Sequence, residues 1–265
     1  MALLKSPSEF RHAVITGASS GIGAALATYY AHRGFVLSLL GRNPTRTNSV
    51  AQECTEAGAD VRAATGDVAD SVFMTAWLES CEARMPVDVI IANAGVGGRY
   101  AMPQGAGETV TVARDIFMTN LVGVSNTVLP ILPRLVERRQ GRLVLVSSLA
   151  GYLGLPDAPA YSASKAAVRI YGHALRRRIS RHGVGVSIVC PGFVQTPMSD
   201  SLPGALPFLW GSDRAARHIA GRIARGQHEI AFPWTLSMLT RIAAMLPPSL
   251  LDSVLTRVRV DQGGA

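Results

Sequence analysis

Apolar residues in this chain gather in short uninterrupted runs, and after each run they thin out to every third or fourth position. Uninterrupted runs suit strands buried on both faces, whereas the wider spacing marks one stripe of a helix. Residues 12–16 (His-Ala-Val-Ile-Thr) read as the first strand, and a glycine-rich turn then opens a helix to about Arg33 that Gly34 ends. The alternation continues with a strand Phe35–Leu40, a helix Pro44–Ala57, a strand Ala59–Thr65, a helix Asp70–Arg84 and a strand Val87–Ala92. A long helix from about Gly107 to Arg139 follows, which Pro130 and Pro133 should bend. Then come a strand Arg142–Ser147, a helix Pro159–Arg181 and a strand Val184–Val189. Residues 193–211 mix Pro, Gly and apolar side chains before a helix at 212–225, a strand at about 228–232 and a helical tail.

Strands of this kind, each followed by a helix, predict a mainly parallel sheet with helices on both faces, a doubly wound α/β fold of the Rossmann type. A TIM barrel is the runner-up; it wants eight such units where about six are counted, and its phosphate loops come late in the chain. No repeat or linker interrupts the pattern. One domain over 1–265 is expected, with a core at about 11–232, a substrate lid at about 193–211 and a helical tail at about 233–260.

The tail carries its own stripe: Trp234, Met238, Ile242 and Met245, with Leu239 and Leu246 beside them, recur at helical spacing until Pro247-Pro248. A second run follows, with Leu250, Leu251, Val254, Leu255 and Val258 on one face and Asp252, Ser253, Arg257 and Arg259 largely off it. Packing within the protein is the first expectation for this surface. Contact with a second subunit is the next reading. Docking on a membrane surface is the weakest, because two arginines are no dense basic cluster.

Composition narrows the class. A chain of 265 residues with 48% hydrophobic and 17% charged residues can bury a large core, which excludes disordered, collagen-like and disulfide-scaffold proteins. Leu3 and Leu4 sit beside Lys5 and before polar Ser6-Pro7-Ser8-Glu9, so the start lacks a signal-peptide apolar region. No stretch approaches the roughly 18 uninterrupted apolar residues of a membrane span, and a cytoplasmic location is expected. Cys54, Cys81 and Cys190 fit neither a disulfide framework nor a zinc site, so no metal is expected. The net charge of +8 raises nucleic acid as a partner. The split argues against it: only Lys5 and Lys165 are lysines, and the arginine runs fall on helices without interleaved aromatics. In a chain that otherwise writes arginine, Lys165 marks a place where guanidinium does not serve.

Two motifs carry chemistry. Thr16-Gly17-Ala18-Ser19-Ser20-Gly21-Ile22-Gly23 lies between the first strand and first helix, where absent side chains let backbone N–H groups and the helix N-terminus meet a pyrophosphate. The same glycines match a G-x-S-x-G hydrolase elbow, but the strands that elbow needs upstream are missing. In Tyr161-Ser162-Ala163-Ser164-Lys165 the i, i+4 spacing stacks phenol and ammonium on one helix face. A nearby cation is expected to lower the tyrosine pKa towards working pH.

Together these motifs resemble the short-chain dehydrogenase/reductase family, from Ala13 to about Phe232. Asn93-Ala94-Gly95 matches its N-A-G motif, and Asn120 its helix asparagine. Ser147-Ser148-Leu149-Ala150-Gly151 resembles its S-S-x-A-G, with Ser148 as the catalytic serine and Ser147 its structural neighbour. Pro191-Gly192 with Val194 and Thr196 is similar to the nicotinamide-carboxamide segment, and Asp67-Val68 to the adenine-side pair. The resemblance implies that Ser148 hydrogen-bonds the substrate oxygen, Tyr161 donates its proton, and Lys165 holds the nicotinamide ribose. It also implies that Asn120 fixes a water relaying protons from Lys165.

NAD-preferring relatives carry an acid about 20 residues past the glycines. Here Leu39-Leu40-Gly41-Arg42-Asn43 has none, and Arg42 can pair with a 2′-phosphate, so NADP(H) is expected over NAD(H). Met198, Leu202, Leu206, Phe208, Leu209 and Trp210, with Leu153 and Leu155, are expected to line an apolar pocket for a lipophilic carbonyl or alcohol. A homodimer or homotetramer is implied by resemblance. The rival reading is a non-catalytic, dinucleotide-sensing protein on the same fold, which would be expected to lose the tyrosine or lysine kept here.

Overall fold

The computed structural model describes residues 10–97, 108–200, 202, 206–247 and 249–252. The expected helix start at Gly107 and the tail run from Ser253 to Arg259, including Val254, Leu255 and Val258, lie outside them. Strand β1 (His12–Thr16) leads through the glycine turn into α1 (Gly21–Ala31), and β2 (Val36–Gly41) into α2 (Pro44–Glu56). Then come β3 (Val61–Thr65), α3 (Ser71–Arg84) and β4 (Val89–Ala92). Asn43 caps α2 by accepting from Arg46 N at 2.9 Å, and Asp70 caps α3 by accepting from Val72 N and Phe73 N, both at 3.0 Å.

The long helix expected next is divided. α4 (Val110–Phe117) runs into a π-helical turn at Met118–Val122 and on into α5 (Gly123–Val128), and the chain then leaves the helix and restarts as α6 (Leu132–Arg138). Pro130 and Pro133 offer no N–H to the ladder, so they interrupt it rather than bend it, and Pro133 sits in the first turn of α6. By length and composition, residues 110–138 could cross a membrane. Ile116, Val124, Val128, Ile131 and Leu135 are instead buried, the last four in the core that includes Val14, Ile90 and Leu143 of the sheet.

β5 (Arg142–Val146), α7 (Pro159–Ile179), β6 (Gly185–Pro191), α8 (Pro197–Asp200), α9 (Ser212–Ala224), β7 (Glu229–Phe232) and α10 (Trp234–Ala243) complete the order. The seven strands form one parallel sheet in the order β3-β2-β1-β4-β5-β6-β7. Alternate residues of a strand feed different cores. Ala13 and Ile15 of β1 join Leu26 of α1 and Ile219 of α9 on one face, while Val14 joins Met74 and Leu78 of α3 and Val168 of α7 on the other. Each fully buried leucine or isoleucine contributes about 1.5–3 kcal/mol of burial. β3 departs from the expected doubly buried pattern, because it is an edge strand and Arg62, Ala63 and Thr65 are exposed. Strand order reverses between β1 and β4, and the crevice beyond their carboxyl ends is where such sheets take ligands.

Beyond β6, Phe193–Gln195 and Trp210 pair to form a neck. Val194 bridges Trp210, with Gln195 N donating to Trp210 O at 2.8 Å and Trp210 N to Phe193 O at 3.0 Å. The tail overturns the first expectation for its stripe. α10 docks through Leu236, which packs on Leu149, Ile188 and Cys190, and through buried Ser237. Trp234, Met238, Leu239, Ile242 and Met245 face outward, Trp234 at 73% and Met245 at 84% exposure. Arg241 turns inward because a carboxylate on β7, Glu229, holds it at 2.6 Å, and that fixes the helix rotation.

Candidate active site

The turn after β1 is shaped by backbone crowding. Gly17 has φ +66, and a Cβ there would stand 2.7 Å from Ala94 Cα and 2.9 Å from Asn93 Nδ2. Thr16 and Asn93 lock the turn to β4: Asn93 Nδ2 donates to Thr16 O and Gly17 O at 3.1 Å each, and Asn93 N and Ala94 N donate to Thr16 Oγ1. Gly23, in the first turn of α1, packs against Gly17 O. Ser20 occupies the N-cap of α1 without a side-chain cap bond, and no acid stands in the first turn, so its leading N–H groups face outward with the positive end of the helix dipole. Ser19, Ser20 and Gly21 are half-buried around that end, and Ile22 packs into the core. An anionic pyrophosphate fits this donor set.

β4 delivers Asn93-Ala94-Gly95 to the same crevice, and the π-helical turn swings Asn120 towards it. Asn120 is fully buried: Oδ1 accepts from Val96 N at 2.7 Å, and Nδ2 donates to Val96 O at 2.8 Å and Ser164 Oγ at 3.1 Å. π turns inside α-helices recur at functional sites, because the extra residue re-aims a side chain. Gly95 passes between Asn120 and Lys165; a Cβ there would lie 3.2 Å from Lys165 Nζ and 3.3 Å from Asn120 Oδ1.

Ser148 follows β5 as the N-cap of a 3-10 turn at Leu149–Gly151, its Oγ accepting from Ala150 N at 3.1 Å. Tyr161 and Lys165 project from the first turns of α7, with Nζ 5.7 Å from the Tyr161 ring centre. The Ser148 hydroxyl stands near enough to the Tyr161 phenol to act on its titration. Lys165 is buried, Nζ donates to Val146 O at 3.1 Å, and Ser147 Oγ donates to Lys165 O at 2.7 Å. Burial pushes the Lys165 pKa down to about 8. Burial also raises the Tyr161 phenol above its usual value, and the Ser148 hydroxyl works against that rise. The expected depression of the phenol by the ammonium is therefore corrected: Nζ is directed at a backbone carbonyl, and desolvation prevails. Both groups are displaced towards their neutral forms, which suits Tyr161 to giving a proton at neutral pH.

The remaining residues stand around this centre. Pro191 ends β6, and its carbonyl accepts from Ser148 Oγ at 3.5 Å; Gly192 N donates to Phe232 O at 2.7 Å. Val194 is buried at the loop neck. Thr196 abuts Gly21, whose Cβ would stand 2.6 Å from its methyl. Arg42 is exposed at the end of β2, next to Gly41, which Ser19 approaches closely. Asp67 is exposed and accepts from Ala69 N at 2.9 Å, while Val68 is buried under α5 with its carbonyl held by Asn126 Nδ2 at 2.9 Å. Arg42 and Asp67-Val68 thus lie at the β2 and β3 ends, away from the Ser148–Tyr161–Lys165 centre.

Of the expected pocket residues, Met198 reaches the centre, with its sulfur near Gly97 and the Tyr161 ring. Phe208 and Leu209 are exposed, and Leu202, Leu206 and Trp210 are half-buried. Leu153 and Leu155 line a groove of about 630 Å³ with Ser162, Ala163, Ala166 and Asp252. Three contributors escaped the sequence reading. Val96 offers only backbone atoms to Asn120; Ser164 lies inside the Y-x-x-x-K motif; Gly97 leaves room for the Tyr161 ring, 2.6 Å from where its Cβ would be. The close glycines at 95, 97 and 98 were the available signal.

Comparison with known proteins agrees with this geometry. A family model described as short chain dehydrogenase matches residues 11–205. An uncharacterized oxidoreductase of Myxococcus xanthus is 37% identical over 252 residues, covering 95% of this chain and 98% of that protein. A short chain dehydrogenase/reductase from Burkholderia phymatum, solved in complex with NAD, aligns with a TM-score of 0.80 at 25% identity over 88% of this chain and 92% of that one. A variant of actinorhodin polyketide ketoreductase, solved with NADPH, aligns with a TM-score of 0.77 at 27% identity over 88% and 99%.

Proposed function

The chain belongs to the short chain dehydrogenase family of oxidoreductases, and from that premise we propose that it moves a hydride between NADP(H) and a carbonyl or secondary-alcohol carbon of a lipophilic substrate. The observation that carries the reading is the meeting of Ser148, Tyr161 and Lys165 beside the uncapped start of α1, at the carboxyl ends of parallel strands. Bound there, the dinucleotide supplies the hydride. Ser148 hydrogen-bonds the substrate oxygen, and Tyr161 gives that oxygen its proton during reduction. Lys165 holds the nicotinamide ribose, and Asn120, clamped on Val96 beside it, keeps its place in the proton path to solvent. Gly17, Ser19, Ser20, Gly21, Ile22 and Gly23 form the pyrophosphate end, Asp67 and Val68 the adenine end. Asn93, Ala94, Gly95, Pro191, Gly192, Val194 and Thr196 form the nicotinamide end.

Preference for NADP(H) rests on Arg42, exposed where the adenosine ribose is expected, with no acid at the end of β2 to accept from a 2′-hydroxyl. Asn43 is committed to capping α2, so it does not compete for that role. Structural neighbours hold NAD or NADPH, so the test falls to the residue. Arg42→Asp is expected to turn the ratio of the NADP(H) and NAD(H) specificity constants towards NAD(H) by about tenfold or more. Unchanged discrimination moves phosphate recognition to another residue.

Residues 193–211 act as the substrate lid, with Met198 contributing at the tyrosine, and the neighbour named a polyketide ketoreductase supports a ketone substrate. The same reading makes the enzyme a cytoplasmic homodimer or homotetramer with no nucleic-acid partner. Retention of both Tyr161 and Lys165 favours catalysis over dinucleotide sensing alone. NADPH consumption over a panel of lipophilic ketones and aldehydes, beside a dinucleotide titration, tests this. Binding without turnover of any carbonyl would favour the sensor.

A further inference from the structure

One carboxylate outside the catalytic trio gathers side chains from each part of the chain that builds the trio. Glu229, the first residue of β7, accepts on Oε1 from Tyr152 Oη at 2.5 Å and from Arg241 at 2.6 Å. Its Oε2 faces His173 Nε2 at 2.6 Å and Arg169 Nε at 3.2 Å. Arg241 also donates to Tyr152 Oη at 3.1 Å, and the Arg169 guanidinium lies 4.2 Å from the Tyr152 ring centre. Burial alone would raise the Glu229 carboxyl, but the Tyr152 hydrogen bond, Arg169, His173 and Arg241 outweigh it and hold the pKa below the usual value.

The partners are placed tellingly. Tyr152 ends the short segment that begins at Ser148, the two residues capping the same 3-10 turn at its opposite ends. Arg169 and His173 continue, at four-residue steps, the α7 side that carries Tyr161 and Lys165. Glu229 therefore joins the serine-bearing segment to the helix bearing the tyrosine and lysine, and Arg241 adds α10. The side chain of Glu229 is 16% exposed, so solvent screens these attractions weakly. The Arg169 and Arg241 guanidinium groups lie 4.2 and 5.2 Å from the Tyr152 ring centre, and Glu229 is the carboxylate that both face.

We propose that Glu229 is a positioning residue for the reaction, fixing segment 148–152 against α7 so that the Ser148 and Tyr161 hydroxyls meet. The inference rests on the catalytic roles proposed above for those two residues. A plain structural brace would lower stability and leave turnover per folded enzyme alone. A positioning residue acts through Ser148, and that dependence is measurable.

The experiment is a cycle of Glu229→Gln and Ser148→Ala, reading kcat, KM for the carbonyl, dinucleotide affinity and melting temperature. Glu229→Gln is expected to lower kcat about tenfold while dinucleotide affinity stays within about twofold, and to cost less than about twofold more once Ser148 is alanine. Tyr152→Phe deletes one hydroxyl and should move kcat the same way by a smaller factor; it replaces Glu229→Gln in the cycle should that variant not fold. An unchanged kcat, or an equal loss with and without the serine, overturns the proposal. A Tyr161→Phe enzyme that still turns over would bring down the catalytic reading itself, whereas an inactive Tyr161→Phe beside a wild-type-like Glu229→Gln would bring down this inference alone.

Discussion

The turn between β1 and α1 and the helix α10 attach to the same sheet by different means. In the turn, backbone meets backbone: Gly17 has room for no side-chain carbon, and Asn93 ties two successive carbonyls to β4. α10 is held by Leu236 in a small apolar cluster, by buried Ser237 and by Arg241 on Glu229, while its broad apolar stripe points outward. Backbone crowding leaves one arrangement, whereas a few side-chain contacts choose among several helix rotations. A site that must place a cofactor and a proton donor to within a fraction of an ångström belongs in the first kind of region.

Substitutions sharpen this contrast. Gly17→Ala combines a left-handed backbone with a Cβ inside Ala94, and it should destabilise the fold by about 2–4 kcal/mol in urea melts. Gly34→Ala is its control, because Gly34 has φ +70 but nothing within 4 Å of a Cβ, and only the backbone cost of about 1–2 kcal/mol should remain. Equal losses at the two positions would break the crowding argument.

Lys165 offers a comparable effect, read through pH. Burial holds its folded pKa near 8 against an ordinary 10.5, so between those values the unfolded chain binds more protons and stability rises with pH. Relative to Lys165→Met, the wild type should gain roughly 3 kcal/mol between pH 8 and 10.5, because the lysine is charged in both states below that window and neutral in both above it. A difference between the two proteins that stays flat with pH would mean the ammonium is not desolvated.

The tail should show the smallest changes and the sharpest internal division. Trp234→Ser and Met245→Ser, on the outward stripe, should shift stability by no more than about 0.5 kcal/mol. Leu236→Ala, one turn away on the docked face, should cost about 2 kcal/mol. Reversal of that order would mean the stripe is covered and α10 is rotated the other way.

The same contrast explains what could be read from the residues alone. Seven strands, their helices and the positions of Gly17, Asn93, Ser148, Tyr161 and Lys165 were legible, because strand–helix alternation and fixed offsets beside strand ends leave little freedom. The direction of the tail stripe was not. Periodicity establishes that Trp234, Met238 and Ile242 share a face, but the rotation was set by Arg241 pairing with Glu229, two residues whose meeting depends on the sheet. The phenol pKa also required burial, since spacing reports the neighbouring ammonium and nothing about desolvation.

On the proposed function, Tyr161 passes a proton to a substrate held by Ser148 while hydride comes from a bound dinucleotide. Tyr161→Phe removes one hydroxyl from a residue whose ring packs beside Gly97, so fold and cofactor affinity should survive. The decisive measurement is steady-state NADPH oxidation by wild type and Tyr161→Phe on the same ketone, with dinucleotide affinity titrated on both. A fall in kcat of at least ~100-fold, with affinity within about twofold, is the expected result. Turnover within a few-fold of wild type would contradict the account.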